Sequence, residues 1–333
     1  MKVVVRCLKH VKLVALYITL FLIFGNCSKE SSVKTLRLAH ALDASHSVHK
    51  AMVLMSEELE KLSGGTIKLQ IYPSQQLGSE RELLELLQLG SIDITKTSAA
   101  VVESFAPEFK VFSVPYLFKT DEHMLATLTG DVGKRILESS VKYRFRGLTY
   151  YDSGKRSFYT KDRKVESPED LVGLKIRTQA SNMAIRLVNN YGAAATPIPF
   201  GELYSALQQG VVDGAENNPP SFYLTRHYEV CKYYVLNEHT SVPDILLISE
   251  STWQRLTVQE KAWMKIAAEK SRVFQFELWE KSEEEALTAV IDAGVEVIIP
   301  DKRTFIEQTN SLVESMLQDS LLRSLYNQIQ ALE

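Results

Sequence analysis

The chain of 333 residues is 45% hydrophobic and 24% charged, and its formal net charge at pH 7 is −3. This balance argues against nucleic acid as the partner. The length exceeds what a single hydrophobic core usually holds, so two lobes are expected.

Residues 1–27 have the pattern of an export signal. A basic start without acidic residues precedes an apolar run, Leu13–Phe24, which is interrupted only by Thr19. A permanent membrane helix needs roughly twenty apolar residues, so this shorter run predicts a cleaved signal. A retained anchor or a buried helix is the alternative.

The run ends in a segment, Phe24–Ser28, that resembles the lipobox of bacterial lipoproteins. Cys27 occupies the position that receives lipid, although the usual leucine and small residue upstream of it are replaced. The segment predicts lipidation at Cys27 with residues 28–34 as a linker, and a soluble secreted form is the alternative. Cys231 then has no partner, so no disulfide framework is expected.

The chain after the linker opens with alternating strand and helix patterns. Apolar residues alternate in the strands and recur at three- and four-residue spacing in the helices. A capping box of Ser79 and Glu82 begins the second helix, and Gly90 ends it. The patterns predict strands at Leu36–His40, Ile67–Ile71 and Ile92–Thr95, and helices at Val48–Leu62 and Ser79–Leu89.

A second unit of the same kind follows a short helix that begins at Ser167. Residues Glu202–Asp213 match Glu82–Asp93 at six of twelve positions. This internal repeat predicts two similar α/β lobes, and chance likeness of two amphipathic helices is the alternative. Ligands of such sheets bind beyond the carboxyl ends of strands. The unit comprises strands at Leu174–Arg177 and Ala193–Pro199 and a helix at Asn182–Asn190.

Beyond residue 240 the pattern becomes mostly helical. A capping box of Thr257 and Glu260 opens a stretch that lacks glycine and proline as far as Ala293, which predicts one long helix. The charge run Glu283–Glu285 is predicted to face solvent. A strand at Val295–Ile299 and a helix from Arg303 follow. The apolar seam of the long helix is expected to contain Trp263, Ile266, Ala267, Phe274 and Leu278.

Arg177 stands at the end of a predicted buried strand. A guanidinium there is charged and poorly solvated, and a ligand carboxylate satisfies its planar fork with two parallel hydrogen bonds. The sequence has no glycine-rich phosphate loop, no Gly-x-Ser-x-Gly elbow and no nucleophile–base pair at plausible spacing. It therefore predicts an exported binding protein rather than an enzyme, without a cofactor.

Three other positions carry open alternatives. Asn217 follows a strand predicted to end at residue 214, and two prolines after it predict a fixed turn. Its amide would contact a carboxylate or hydroxyl, or cap its own turn. Arg156, beside a glycine suited to a hinge, is a second cleft cation or a surface arginine. Phe200 stacks on a ligand or belongs to the core.

Three histidines, His40, His46 and His49, make a metal site one alternative. The spacing of His46 and His49 suits a single metal only partly, and no compact cysteine or carboxylate set accompanies them. The favoured interpretation is a loop at the cleft mouth that caps the first helix, with one histidine touching the ligand. No metal is expected.

Five motifs occur in order between about residue 35 and residue 320: Leu36–His40, Tyr72–Gly78, Val114–Leu117, Leu174–Arg177 and Val212–Asn217. Together they resemble the substrate-binding subunits of tripartite ATP-independent periplasmic (TRAP) transporters, the DctP family. The resemblance implies an α/β, two-lobed periplasmic binding protein, type II-like, with a long C-terminal helix bracing both lobes. Lobe I would comprise residues 35–153 and about 243–282, and lobe II residues 154–242 and about 283–333.

The resemblance also implies roles for individual residues. Arg177 would form the main salt bridge to a ligand carboxylate, with Asn217 assisting it. Arg156 would be the second arginine and Phe200 the aromatic contact. Some members carry glutamate where this chain has Ser98, which puts a sialic-acid-like specificity in doubt. Specificity contacts would come from Ser98, His40, Asp43, His46 and Glu80, with His239 and Asp244 as weaker candidates.

The function implied is capture of an organic acid and its delivery to an ion-gradient-driven membrane permease. The expected location is the periplasm, with the chain held at the membrane as a lipoprotein. A receptor for an ATP-driven importer or a sensor is one alternative. A lipid-anchored enzyme that uses Glu216 in the cleft is the other.

Overall fold

The structure is a computed structural model that describes residues 33–332. The predicted signal and the predicted lipidation at Cys27 lie outside these residues. None of the helices within the described range is long and apolar enough to cross a membrane. From Thr35 onward the chain forms one compact unit.

The strands form two sheets, with the orders β2-β1-β3-β10-β4 and β11-β9-β5-β8-β6-β7. In the first sheet β1 and β3 are parallel, and β10 is antiparallel to both of its neighbours. In the second sheet β6 is parallel to β7 and β8, and β5 is antiparallel to β8 and β9. The strands are β1 (Lys34–Ala39), β2 (Ile67–Tyr72), β3 (Ile94–Ser98), β4 (Phe145–Tyr151), β5 (Arg156–Thr160), β6 (Lys175–Thr178), β7 (Ala194–Pro197), β8 (Gly214–Asn217), β9 (Tyr233–Thr240), β10 (Asp244–Ser249) and β11 (Glu296–Ile298).

Helices cover both sheets, which confirms the predicted α/β class. The helices are α1 (Ser47–Leu62), α2 (Glu80–Leu89), α3 (Ala99–Val102), α4 (Asp121–Thr129), α5 (Asp131–Ser139), α6 (Asn182–Asn190), α7 (Leu203–Gln208), α8 (Pro219–Leu224), α9 (Glu250–Arg255), α10 (Val258–Asp292), α11 (Lys302–Met316) and α12 (Ser320–Gln330).

Apolar side chains pack between each sheet and its helices. Leu38 of β1, Met52 of α1 and Ala267 of α10 belong to one core on the first sheet. Leu203 of α7 and Phe222 of α8 belong to a core on the second sheet. Burial of such apolar area is the main stabilising contribution to each layer.

The chain passes between the sheets after β4, after β9 and through α10. We take the two sheets as the centres of the two proposed lobes. The last helix, α12, packs against α5 and the 3-10 helix Pro107–Ser113. The sequence assigned α12 to lobe II, whereas these partners belong to the stretch assigned to lobe I.

The internal repeat has a structural explanation in Asp93 and Asp213. The Asp93 carboxylate accepts a hydrogen bond of 2.8 Å from the backbone N–H of Arg37. Asp213 accepts one of the same length from the backbone N–H of Lys175. Each aspartate thus precedes a strand and ties it to its parallel neighbour, and the glycine three residues upstream ends the preceding helix in the left-handed conformation.

Two predictions for the second half of the chain were wrong, one of a strand and one of a turn. The strand predicted to end at Gly214 instead begins at that residue, so Glu216 and Asn217 lie within β8. Pro219 and Pro220 start helix α8, with Asn218 as its N-cap, instead of forming a turn. Proline suits this position because the first helical N–H groups have no partner inside the helix. The stretch after residue 240 also contains the buried strand β10, which the sequence interpretation missed.

The long helix α10 has the predicted start, and its buried face contains part of the predicted seam, namely Ala267 with the partly buried Trp263 and Phe274. It packs against α1 and β4 near the first sheet and against α8 near the second, which makes it the predicted brace. Its buried seam contains Met264, Ala267, Ala268, Ser271, Gln275 and Trp279, whereas Ile266 is 44% exposed. Glu283 was expected to face solvent, but it is partly buried, and burial raises the pKa of its carboxyl to about 7.

The first crossover between the sheets is held by this helix. The Gln275 side chain accepts a hydrogen bond of 2.7 Å from the Asp152 backbone N–H and donates one of 2.8 Å to the Asp152 carbonyl. Gly154 follows with a φ of +57°, and a Cβ there would lie 2.5 Å from Glu283 Oε1 and 2.8 Å from Trp279 Nε1. Glycine at this position lets α10 approach the crossover closely.

We therefore expect Gly154→Ala to lower the free energy of unfolding by about 1–3 kcal/mol more than Gly173→Ala. Gly173 is the matched control, because it also has a positive φ (+78°) but would place its Cβ in open space. Chemical denaturation of both variants measures the difference. Equal losses would mean that the α10 side chains give way at no cost.

Candidate functional site

A cavity of about 170 Å³ lies between the two sheets. That volume suits a small organic molecule rather than a single water. From the second sheet it is lined at the carboxyl ends of β6, β7 and β8, where ligands of such sheets bind. Lining residues on that side include Arg177, Ile198, Phe200 and Asn217, and those on the other side include His46, Glu80, Lys96 and Asp244.

Arg177 is one of two arginines on the second-sheet wall, and it is 3% exposed. Its Nε donates a hydrogen bond of 2.8 Å to the Ile198 carbonyl, and its guanidinium lies 5.8 Å above the Phe200 ring. No carboxylate of the described residues forms an ion pair with it. Burial lowers the pKa of Arg177. The guanidinium is thus fixed in orientation while its two terminal nitrogens remain available to an anion.

Asn217, the last residue of β8, has a defined amide orientation. Its Oδ1 accepts hydrogen bonds of 2.9 Å from Arg156 Nη1 and of 2.9 Å from the Asn218 backbone N–H. Both partners can only donate, so the oxygen must point to them and the amide nitrogen away from them. Asn217 therefore contributes a hydrogen-bond donor to the cavity.

Arg156 combines a structural ion pair with this positioning role. Its Nε donates to the Glu216 carboxylate and its Nη2 donates to the Glu216 carbonyl at 2.8 Å. Burial alone would raise the pKa of Glu216, but the charge of Arg156 lowers that pKa to about 2. Arg156 therefore lines the cavity with its charge already neutralised, unlike Arg177.

The first-sheet wall contains a lysine that the sequence interpretation missed. Lys96 is 2% exposed, and its Nζ lies 3.1 Å from Glu80 Oε1 and 3.0 Å from Asp244 Oδ2. Glu80 was a predicted specificity residue and Asp244 a weaker one. The sequence did contain a signal for Lys96, because it is the single charged residue of the buried strand β3. A buried lysine needs an acidic partner.

His46 lines the cavity and begins helix α1. Its Nδ1 accepts a hydrogen bond of 3.2 Å from the backbone N–H of Val48, so it caps the helix as predicted. Burial lowers the pKa of His46 to about 3, which leaves the ring neutral with its proton on Nε2. That Nε2 is buried and has no hydrogen-bond partner among the described residues.

Four predicted ligand residues lie outside the cavity lining. His40 Nε2 bonds His49 Nδ1 at 3.0 Å and its Nδ1 accepts from the Leu42 backbone, which holds the loop after β1. Ser98 caps α3, and its Oγ lies 3.5 Å from Gln179 Oε1. Gln179, rather than Ser98, lines the cavity. His239 stacks on the Phe158 ring, and its Nε2 lies 3.7 Å from Glu216 Oε2. Asp43 caps the turn at Ser45 and is exposed.

No group of three or more histidine, cysteine, aspartate or glutamate side chains within residues 33–332 is arranged to hold a metal ion. The His40–His49 contact uses both facing ring nitrogens for one hydrogen bond. The cavity offers instead one unpaired guanidinium, several hydrogen-bond donors and two carboxylates. This set of groups suits a polar organic anion.

Comparisons with known proteins agree with this chemistry. The family model described as bacterial extracellular solute-binding protein, family 7 (DctP), matches residues 38–319. The protein YiiZ of Salmonella typhimurium is 40% identical over 89% of this chain and 90% of its own length.

Two solved structures are also similar, each with a TM-score of 0.87 and 36% identity. One is a TRAP periplasmic solute-binding protein of Xanthobacter autotrophicus with bound β-D-galacturonate, covering 90% of this chain and all of the other. The second, from Anaerococcus prevotii with bound D-glucuronate, covers 89% of this chain and 97% of the other.

Proposed function

Because the chain belongs to the bacterial extracellular solute-binding proteins of family 7, the DctP family of TRAP transporters, we propose that its ligand is a hexuronate such as D-galacturonate or D-glucuronate. As a member of this family, the chain captures an organic acid for an ion-gradient-driven TRAP permease. The uronates bound by the similar structures from Xanthobacter autotrophicus and Anaerococcus prevotii support the choice of ligand.

The observation that carries the proposal is the buried, unpaired guanidinium of Arg177. A charge taken out of water without a partner is costly, so a ligand carboxylate is the group that completes this site. We assign the bidentate contact to Arg177, an amide hydrogen bond to Asn217 and stacking to Phe200. Arg156 holds Asn217 in place. His46 and Glu80 would contact the rest of the ligand from the first sheet.

A ligand in this cavity touches elements of both sheets. It therefore binds a closed arrangement of the two proposed lobes more tightly than an open one, and binding shifts the population toward closure. The crossover held by Gln275 is a candidate hinge. A closed, loaded form is what the permease would recognise.

The test is a thermal-shift and calorimetry series on the soluble chain. D-galacturonate or D-glucuronate at about 100 times its Kd should add about 2.7 kcal/mol to the free energy of unfolding. D-galactose and D-glucose, which lack the carboxylate, should leave the melting temperature unchanged. Absence of a shift with either uronate, together with a shift by an unrelated acid, would reject the ligand assignment.

Asn217→Asp should weaken uronate binding by about 10- to 100-fold, because the donor facing the ligand carboxylate becomes a negatively charged acceptor. The hydrogen bonds from Arg156 and Asn218 to Oδ1 are retained, so the melting temperature without ligand should change little. Asn310→Asp, on the exposed face of α11, is the matched control. Unchanged affinity in Asn217→Asp would remove Asn217 from the binding set.

We also propose that the mature chain is a periplasmic lipoprotein tethered through Cys27, and that it does not transform its ligand. A Cys27→Ser variant that still fractionates with membranes would reject the tether. Intact-mass analysis of the acid after long incubation should return the unmodified molecule. Recovery of a new product would revive the enzyme alternative based on Glu216.

A further inference from the structure

We propose that the buried triad of Lys96, Glu80 and Asp244 makes the site selective for acids with a single carboxylate and a hydroxylated far end. The triad would exclude dicarboxylates of the same carbon skeleton. This inference rests on the proposed uronate function. It concerns the wall opposite Arg177.

The triad has one more negative charge than positive charge. One ammonium faces two carboxylates, which are 13% (Glu80) and 8% (Asp244) exposed in their side chains. The pairing uses Glu80 Oε1 and Asp244 Oδ2. Glu80 Oε2 and Asp244 Oδ1 have no hydrogen bond to the described residues, although both side chains line the cavity. These oxygens are hydrogen-bond acceptors in need of donors.

A hydroxyl group is the donor that fits them. A hydroxyl donating to a carboxylate forms a charge-assisted hydrogen bond, which is shorter and stronger than a neutral one. His46 adds the complementary group, because its buried Nε2–H is a donor without a partner among the described residues. A donor and two acceptors that line the same cavity suit the hydroxyls of a sugar.

A second carboxylate at this wall would meet like charge. The triad carries a net negative charge, and two anionic groups brought together in a poorly solvated cavity repel strongly. Arg81 also lines the cavity, but it is ion-paired with Glu85 at 3.3 Å and lies over the Phe105 ring. The positive charge of Lys96 is already more than balanced by the carboxylates of Glu80 and Asp244.

The test compares three acids by calorimetry: D-galacturonate, galactarate with a second carboxylate, and D-galactonate with the same open chain as galactarate but one carboxylate. The chain should bind galacturonate at least about 100-fold more tightly than galactarate. Galactonate should fall between them. If galactonate is rejected as completely as galactarate, ring shape rather than charge excludes them and the inference is overturned.

Glu80→Gln tests the triad directly, since it removes one negative charge and leaves Lys96 paired with Asp244. The preference for galacturonate over galactarate should fall by about 10-fold or more, the value of one charged hydrogen-bonding contact. Glu57→Gln, at an exposed position of α1 outside the cavity, should leave the preference unchanged. An unchanged preference in folded Glu80→Gln overturns the inference.

The two proposals fail in different ways. Uronate binding with an unaltered preference in Glu80→Gln would reject only the triad. Failure of every uronate to bind would reject the proposed function itself.

Discussion

Replacing Arg177 by alanine should abolish measurable uronate binding, and replacing it by lysine should weaken binding by about 100-fold or more. Two charge-assisted hydrogen bonds of about 1.5–3 kcal/mol each depend on the planar fork, and a lysine ammonium cannot make them in parallel. Lysine would also lose the hydrogen bond to the Ile198 carbonyl and the stacking on Phe200. Titration calorimetry with D-galacturonate and D-glucuronate measures both effects.

The control for this loss is Lys175→Ala. Lys175 lies on the same strand, but its side chain is exposed. It should bind both uronates as the unaltered chain does. Near-normal affinity in Arg177→Lys would contradict a bidentate contact, and unfolding of Arg177→Ala would assign the residue a structural role.

Replacing Arg156 by methionine should cost about 3–5 kcal/mol of unfolding free energy, because the Glu216 carboxylate would stay buried without its partner. The low pKa of Glu216, about 2 against an ordinary 4.5, gives the sign of the pH dependence. In the unaltered chain the stabilisation is present above pH 4.5 and is lost as pH falls toward 2. In Arg156→Met the free energy of unfolding instead rises as the unpaired Glu216 takes up a proton. The unfolding free energies of the variant and the unaltered chain should therefore converge between pH 7 and pH 4.

Two controls separate the buried pair from charge alone. Lys164→Ala removes an exposed ion pair with Glu166 and Glu296 and should change stability little. Arg156→Met combined with Glu216→Leu removes both charges and should be more stable than Arg156→Met alone. A double variant as unstable as the single one would show that packing, rather than the unpaired carboxylate, is responsible.

Local sequence patterns predicted the helices whose end residues supply their own capping hydrogen bonds. The capping boxes at Ser79 and Thr257 and the helix Asn182–Asn190 are confirmed. Strand β8 was misplaced, because its buried residues include Glu216 and Asn217, and such polar residues do not give the apolar alternation of a strand. Arg156, from a strand 60 residues earlier, pairs with the Glu216 carboxylate and donates a hydrogen bond to the Asn217 side chain, which stabilises both buried groups.

The sequence by itself determined the family, the two-sheet α/β class, the long bracing helix and the candidacy of Arg177, because these depend on motifs, periodicity and one charge at a strand end. Only the tertiary structure decided which of the buried cations at the cavity has no acidic partner. Arg156 and Lys96 are both paired with acids distant in sequence, whereas Arg177 has none among the described residues. Pairing is a property of three-dimensional proximity, and no local pattern encodes it.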